Sequence, residues 1–142
     1  MALLEKHLVV KTSTIPGSGN GLFTNIFIPK GTWIVEYKGR ITTWKEVEYD
    51  SENMYLYTVN PKHVIDARRT LKSLARYAND AQGLTRVKGI RNNCIYVNDG
   101  LRVFVESIRD IPAGSEIFVA YGKPYWDVIR KNKREAEKNK AK

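Results

Sequence analysis

Cysteine is nearly missing from this 142-residue chain, with Cys94 as its only representative. One thiol closes no intramolecular disulfide, and no cysteine cluster is present to hold structural zinc. Histidine is also scarce. His7 and His63 lie beside strand-like runs without a Cys, Asp or Glu at ligand spacing, so both read as surface or edge residues rather than as ligands or general bases. Long apolar runs are absent. None approaches the roughly 20 residues of a membrane helix, and Leu3-Leu4 gives way at once to Glu5-Lys6-His7, against a secretory leader. The G-x-S-x-G elbow and the Walker loop are missing as well. These absences suit a soluble protein of a reducing intracellular compartment: cytoplasm in a bacterium, nucleus in a eukaryote.

Acidic residues are in short supply, 15 against 24 basic ones, for a net charge of +9. Residues 130–142 (RKNKREAEKNKAK) carry seven basic residues against Glu135 and Glu137, and so hold more than half of the excess. Such a run reads first as a solvated helix or a frayed end. Electrostatic contact with nucleic acid or an acidic partner is the lesser reading.

What is present is a globular composition, 42% apolar and 27% charged, and enough chain for one hydrophobic core. Residues 1–129 read as a single domain, with 130–142 as a basic tail. Short apolar or alternating runs predict strands at 8–10, 21–24, 32–37, 54–59, 64–66, 94–97, 101–107 and 117–121. Pro, Gly and Asn punctuate them, and Asn98-Asp99-Gly100 is the strongest hairpin signal. Thr43-Trp44-Lys45-Glu46 has capping-box spacing and predicts about two helical turns, with Glu46 reaching back to the Thr43 amide. Leu71, Leu74, Ala75 and Ala78 share one helical face and predict a second helix. The fold class is mainly β, a β-rich α+β arrangement. IPKGTWIVEY at 28–37 echoes IPAGSEIFVAY at 111–121. The two tyrosines stand six and seven residues after their glycines, on opposite strand faces, so reuse of a good turn explains the echo better than duplication.

With those reactions set aside, the chemistry rests on tyrosines near strand ends, on Asn79, Asn92 and Asn93, and on the glycine-rich loop Gly17-Ser18-Gly19-Asn20-Gly21. Glycines let backbone amides approach a ligand closely. Tyr55 and Tyr57 need no role beyond packing.

In order along the chain stand G-x-G-L-F at 19–23, E-Y-x-G at 36–39, V-I-D-A at 64–67, A-R-Y-A-N-D at 75–80, N-N-C-I-Y at 92–96 and G-S-E-I-F-V-A-Y-G at 114–122. Together they resemble the SET-domain protein lysine methyltransferases, in the short stand-alone form of bacterial and viral members. The resemblance runs from about residue 6 to 126. It implies several small β-sheets around a knot-like C-terminal crossing. It also implies S-adenosylmethionine as cofactor and a lysine-bearing protein, histone or another basic protein, as substrate. Gly19, Asn20 and Gly21 match the loop that lies against the cofactor. Arg76, Tyr77, Asn79 and Asp80 match the segment that holds its adenine and amino-acid parts. Tyr121 matches the catalytic tyrosine, which also borders the cofactor. Tyr37 and Tyr96 match aromatics lining the target-lysine channel, and Trp126 matches the aromatic that closes over the site. A tyrosine at the position of Tyr96 implies mainly monomethylation.

Two departures stand out. The family's Asn-His is Asn79-Asp80 here, and an ionised aspartate donates no hydrogen bond. The usual S-C-x-P-N is replaced by a longer insert at 81–91, after which Asn93, or else Asn92, is the match for the closing asparagine. The chemistry suits a chain without a histidine base. A lysine amine has an ordinary pKa near 10.4; an apolar channel and the cofactor's positive sulfonium both push it down. What remains is alignment, for which rigid tyrosine hydroxyls are apt. The alternative reading is a SET-like module without catalysis that binds a lysine-rich tail or nucleic acid, and Asp80 is the feature favouring it.

Overall fold

The computed structural model describes residues 3–48, 53, 55–83, 85–121, 131, 134, 137 and 138. Among the described residues, ten strands form three small sheets. β1 (Leu8–Thr12) and β2 (Asn20–Thr24) are antiparallel neighbours, and β9 (Glu116–Ile117) adds to the far side of β2. The second sheet runs β10 (Val119–Ala120), β7 (Cys94–Asp99), β8 (Arg102–Ser107), β3 (Trp33–Glu36). The third is β4 (Arg40–Thr42), β6 (His63–Asp66), β5 (Leu56–Asn60). The fold is mainly β, as the short punctuated apolar runs dictate.

The core lies where the sheets turn their apolar faces together. Leu22, Ile34, Val103, Val105, Ile117 and Val119 are fully buried in one cluster. Alternation explains the sorting. In the β2–β9 register Leu22 pairs with Ile117 and Phe23 with Glu116, so Leu22 and Ile117 share the inner face while Glu116 falls on the other. The Asp99-Gly100 signal makes the hairpin expected of it, Asp99 pairing with Arg102. Leu101, expected to open the strand at 101–107, sits in the turn and is exposed.

Three expectations are corrected. The helical face at 71–78 is a 3-10 turn of four residues, Leu74–Tyr77. Ala75 and Ala78 are buried, but Leu71 is 64% exposed. The flanking Ser73 and Ala78 are both extended, and Ala78 must be so for Asn79 to bridge Phe118 in parallel. Tertiary pairing therefore overrides the helical period. The helix after Thr43 is one turn, α1 (Trp44–Val47), and its box is half formed. The Thr43 side chain accepts from the Glu46 amide, whereas Glu46 accepts from the Thr42 hydroxyl at 2.6 Å. The last apolar run is not one strand. It breaks at Phe118, with β9 in the first sheet and β10 in the second. The Phe118 carbonyl takes the amides of Asn93 and Cys94, and its amide donates to the Asn93 side chain.

The two echoing turns meet: Ile28 and Ile111 exchange both backbone hydrogen bonds, at 2.9 and 2.8 Å. Lys131, Arg134, Glu137 and Lys138 of the basic tail are helical and exposed. Among the described residues no helix is long and apolar enough to cross a membrane.

Candidate active site

Two chain segments cross where β9 hands over to β10. Asn79 runs parallel to Phe118, and its carbonyl accepts the Val119 amide at 2.9 Å. Parallel pairing then continues between β10 and β7, with Val119 opposite Cys94 and Ala120 opposite Ile95. Asn93 pins the crossing from the side, donating to the Glu116 carbonyl at 3.0 Å and accepting the Phe118 amide at 2.9 Å. Asn93 is thus the asparagine that closes the crossing, while Asn92 serves Asp80 instead.

Tyr121 follows directly after the crossing. Its amide donates to Asp80 Oδ2 at 2.9 Å, and its hydroxyl donates to the Ala78 carbonyl. Both ends of this residue are therefore tied to one segment, 78–80. Its ring stacks near that of Tyr96, with centroids 6.3 Å apart. Tyr96 in turn meets Tyr37 edge-on at 5.8 Å. The Tyr37 hydroxyl donates to the Tyr55 carbonyl at 2.7 Å. The three tyrosines singled out in the sequence, Tyr37, Tyr96 and Tyr121, thus converge from β3, β7 and β10.

A fourth tyrosine joins them. Tyr57 on β5 packs edge-on against Tyr96 at 5.1 Å and lies 6.1 Å from Tyr37. Its hydroxyl donates to Asn98 Oδ1 at 2.9 Å, and burial raises its pKa. Tyr57 therefore packs, as expected of it, and the surface it packs against is the cluster formed by Tyr37 and Tyr96. The alternation of 54–59 placed it on a strand, but which sheet faced β7 was not written there. Beside Tyr37, the Arg102 side chain forms a hydrogen-bonded ion pair with Glu36 at 2.7 Å, and that bond holds the Glu36 carboxyl below its ordinary range.

The glycine loop stands on the other side of the crossing. Gly19 has φ +63° and open space where a Cβ would be, which favours glycine and leaves the backbone bare. Gly21 is demanded by contact: a Cβ there would lie 2.3 Å from Glu116 Oε2. Asn79 Nδ2 donates to the Asn20 carbonyl at 3.0 Å and reaches Glu116 Oε2 at 3.5 Å. Glu116 is the residue sequence reasoning missed. It is 5% exposed and accepts Ser13 Oγ at 2.7 Å, the Thr14 amide at 2.8 Å and Thr14 Oγ1 at 2.6 Å. One carboxylate thereby ties the start of the glycine loop to the crossing. A charge inside an apolar strand, in GSEIFVAY, was the signal available.

Arg76 lies over the Tyr55 ring at 4.2 Å and the Tyr77 ring at 4.9 Å. One terminal nitrogen donates to the Arg68 carbonyl at 3.0 Å, while Nε is buried without a hydrogen-bond partner. Tyr77 donates to the Leu71 carbonyl at 3.1 Å. Asp80 is 6% exposed and also accepts from the Gln82 amide and Asn92 Nδ2, each at 2.8 Å. Hydrogen bonds therefore join Asn20 to Asn79 and Asp80 to Tyr121, and Asn79 and Asp80 are neighbours in the chain. Trp126 lies outside the described residues. A separate cleft of about 410 Å³, lined by Phe23, Arg91, Arg109 and Phe118 among others, includes none of the four tyrosines. Among the described residues no group of three or more His, Cys, Asp or Glu is placed to hold a metal ion.

Set against known proteins, the family model of the SET domain matches residues 19–122. Histone-lysine N-methyltransferase EZH2 of Chaetomium thermophilum is 29% identical over 138 residues, which take in 89% of this chain and 9% of that protein. The chain thus spans under a tenth of the length of that relative.

Proposed function

The chain belongs to the SET domain family, and on that premise we propose that it is an S-adenosylmethionine-dependent protein lysine methyltransferase that adds mainly one methyl group. The observation that carries the reading is the packing of Tyr37 and Tyr121 against Tyr96, with Tyr121 fastened to the segment 78–80.

The residues present fit the cofactor. Gly19 offers bare backbone, and Asn79 holds the Asn20 carbonyl in place. Arg76 keeps a buried Nε without a partner, a donor suited to the carboxylate of an amino-acid moiety. S-adenosylmethionine supplies the activated methyl group when bound. The protein's own part is to strip water from the lysine side chain and to aim its amine. Four aromatic rings make an apolar wall, which disfavours the ammonium form by desolvation. The hydroxyls of Tyr121 and Tyr37 spend their single proton on the carbonyls of Ala78 and Tyr55. Toward an amine they therefore act as acceptors. Acceptors take the amine's N–H groups and leave its lone pair uncommitted, which is the orientation a nucleophile needs. Release of the amine proton to water requires no histidine.

The test is incubation with labelled cofactor and a panel of histones and other basic proteins, wild type against Tyr121→Phe. Label on lysine from the wild type, a loss on the order of 100-fold in the variant, and cofactor binding retained by calorimetry are the expected results. A wild type that labels no protein lysine would refute the proposal.

A further inference from the structure

Asp80 and the insert at 81–91 are two departures from the family pattern, and the structure makes them one device. Asp80 Oδ1 accepts Asn92 Nδ2, and Asn92 Oδ1 accepts the Ala81 amide, each at 2.8 Å. These two bonds close the neck of the insert. Asp80 Oδ2 meanwhile accepts the Tyr121 amide at 2.9 Å. The same buried carboxylate thus closes the loop and fastens Tyr121, whose hydroxyl is proposed to orient the amine. Residues 81 and 92 are eleven apart in sequence, and the hydrogen bonds of Asp80 and Asn92 let the extra chain leave and return without disturbing the crossing that Asn93 pins next door.

Acceptor chemistry explains the aspartate. The N–H groups of Gln82, Asn92 and Tyr121 point at it. An ionised carboxylate meets all three with oxygen, and bonds to a charged acceptor are about twice as strong as neutral ones. A histidine or asparagine in this place would turn at least one donor toward another donor.

We propose that Asp80 is a positioning residue, which with Asn92 clamps the insert's neck and sets the place of Tyr121 for methyl transfer. The role in transfer rests on the methyltransferase reading; the clamp itself does not.

The arrangement invites an exchange of the two side chains. In Asp80→Asn one carboxylate oxygen becomes NH2, and whichever way the amides of residues 80 and 92 turn, one N–H faces another. In Asn92→Asp two carboxylates face each other. In the double variant both faults disappear: residue 80 again offers oxygen to the Tyr121 amide and NH2 to the carboxylate at 92, which still accepts the Ala81 amide. The exposed Gln82 amide then turns to water.

The experiment measures kcat and KM on a basic protein substrate, cofactor Kd by calorimetry, and exchange of the Tyr121 amide proton by NMR. The expected result is a fall in kcat on the order of 10- to 100-fold in each single variant, with Kd changed by less than about threefold and Tyr121 amide protection lost. The double variant regains protection and returns to within about fivefold of wild-type kcat. A merely structural fault would lower the folded fraction, and with it the calorimetric binding stoichiometry along with kcat, whereas a positioning fault lowers kcat at unchanged stoichiometry and Kd. Wild-type kcat and protection in Asp80→Asn, or a double variant no better than the worse single one, overturns the proposal. If Asp80→Asn does not fold, Asn92→Asp and the double variant carry the same comparison. A wild type without transferase activity refutes the methyltransferase reading alone. The clamp is then decided by the Tyr121 amide, whose protection must be lost in the single variants and regained in the double one.

Discussion

Replacing Glu116 by Gln changes one oxygen to an NH2 group and almost nothing in volume, so no cavity enters the account. The carboxylate has two donors on each oxygen: the Thr14 amide and hydroxyl on Oε1, Ser13 Oγ and the more distant Asn79 Nδ2 on Oε2. A glutamine places its oxygen toward Thr14, because the Thr14 amide cannot turn. Its NH2 group then faces Ser13, whose hydroxyl can rotate to accept, and Asn79 Nδ2, which cannot accept. Hydrogen bonds to charged groups contribute about 1.5–3 kcal/mol each. With one donor stranded and the others weakened, the expected loss is about 2 kcal/mol of stability. For a domain of this size that is a fall of roughly 6–10 °C in Tm, or about 1 M in urea midpoint at unchanged slope. Asn79 and the Asn20 carbonyl shift with it, so cofactor affinity measured by calorimetry is expected to weaken about tenfold. A variant within about 0.5 kcal/mol of wild type, the ordinary range for surface changes, with unchanged affinity would refute the view that Glu116 holds the glycine loop to the crossing.

Tyr96→Phe removes a hydroxyl from the tyrosine cluster and is expected to shift products from monomethyl- toward di- and trimethyl-lysine; mass spectrometry checks it, and an unchanged product pattern or abundant trimethyl-lysine from the wild type counts against the monomethyl reading. Gly39→Ala puts a Cβ 2.4 Å from the Asp66 carbonyl oxygen, a collision with backbone that cannot step aside cheaply, and is expected to cost about 3 kcal/mol in urea unfolding. Burial pushes the Cys94 thiol from 9.0 up to about 12. The neutral thiol is the form the fold prefers, so this contribution is whole below about pH 9 and is lost as pH rises toward 12. At pH 8 a thiol reagent should react with Cys94 only as fast as the protein unfolds, and rapid reaction of the native protein would contradict its burial.

Much of the local structure around the candidate site was legible because its motifs are local. The turn at Gly19, the Asp99-Gly100 hairpin and the Tyr121 strand end are each set by neighbours in sequence. The partners of Tyr57 and Glu116 were not legible for the opposite reason. Tyr57 matters through β5 facing β7, and Glu116 through Ser13 and Thr14, about a hundred residues away. Nothing within either segment states those partners. The period at 71–78 shows the limit from the other side, since a helical pattern was present and lost to the pairing of Asn79 with Phe118.

By itself the sequence determined the β-rich class, most strands and their turns though not β4 at Arg40–Thr42, and the cast of tyrosines, asparagines and glycines at their ends. These follow from side-chain period, turn chemistry and the absence of other reactive groups, all of which act over a few residues. The tertiary structure alone decided that the last apolar run splits at Phe118 between two sheets, and that Tyr57 completes the aromatic cluster. It also decided that Asp80 faces Asn92 and Tyr121 together. Each of these depends on which distant backbone groups meet. The chain fixes that choice only by satisfying all its buried donors and acceptors at once.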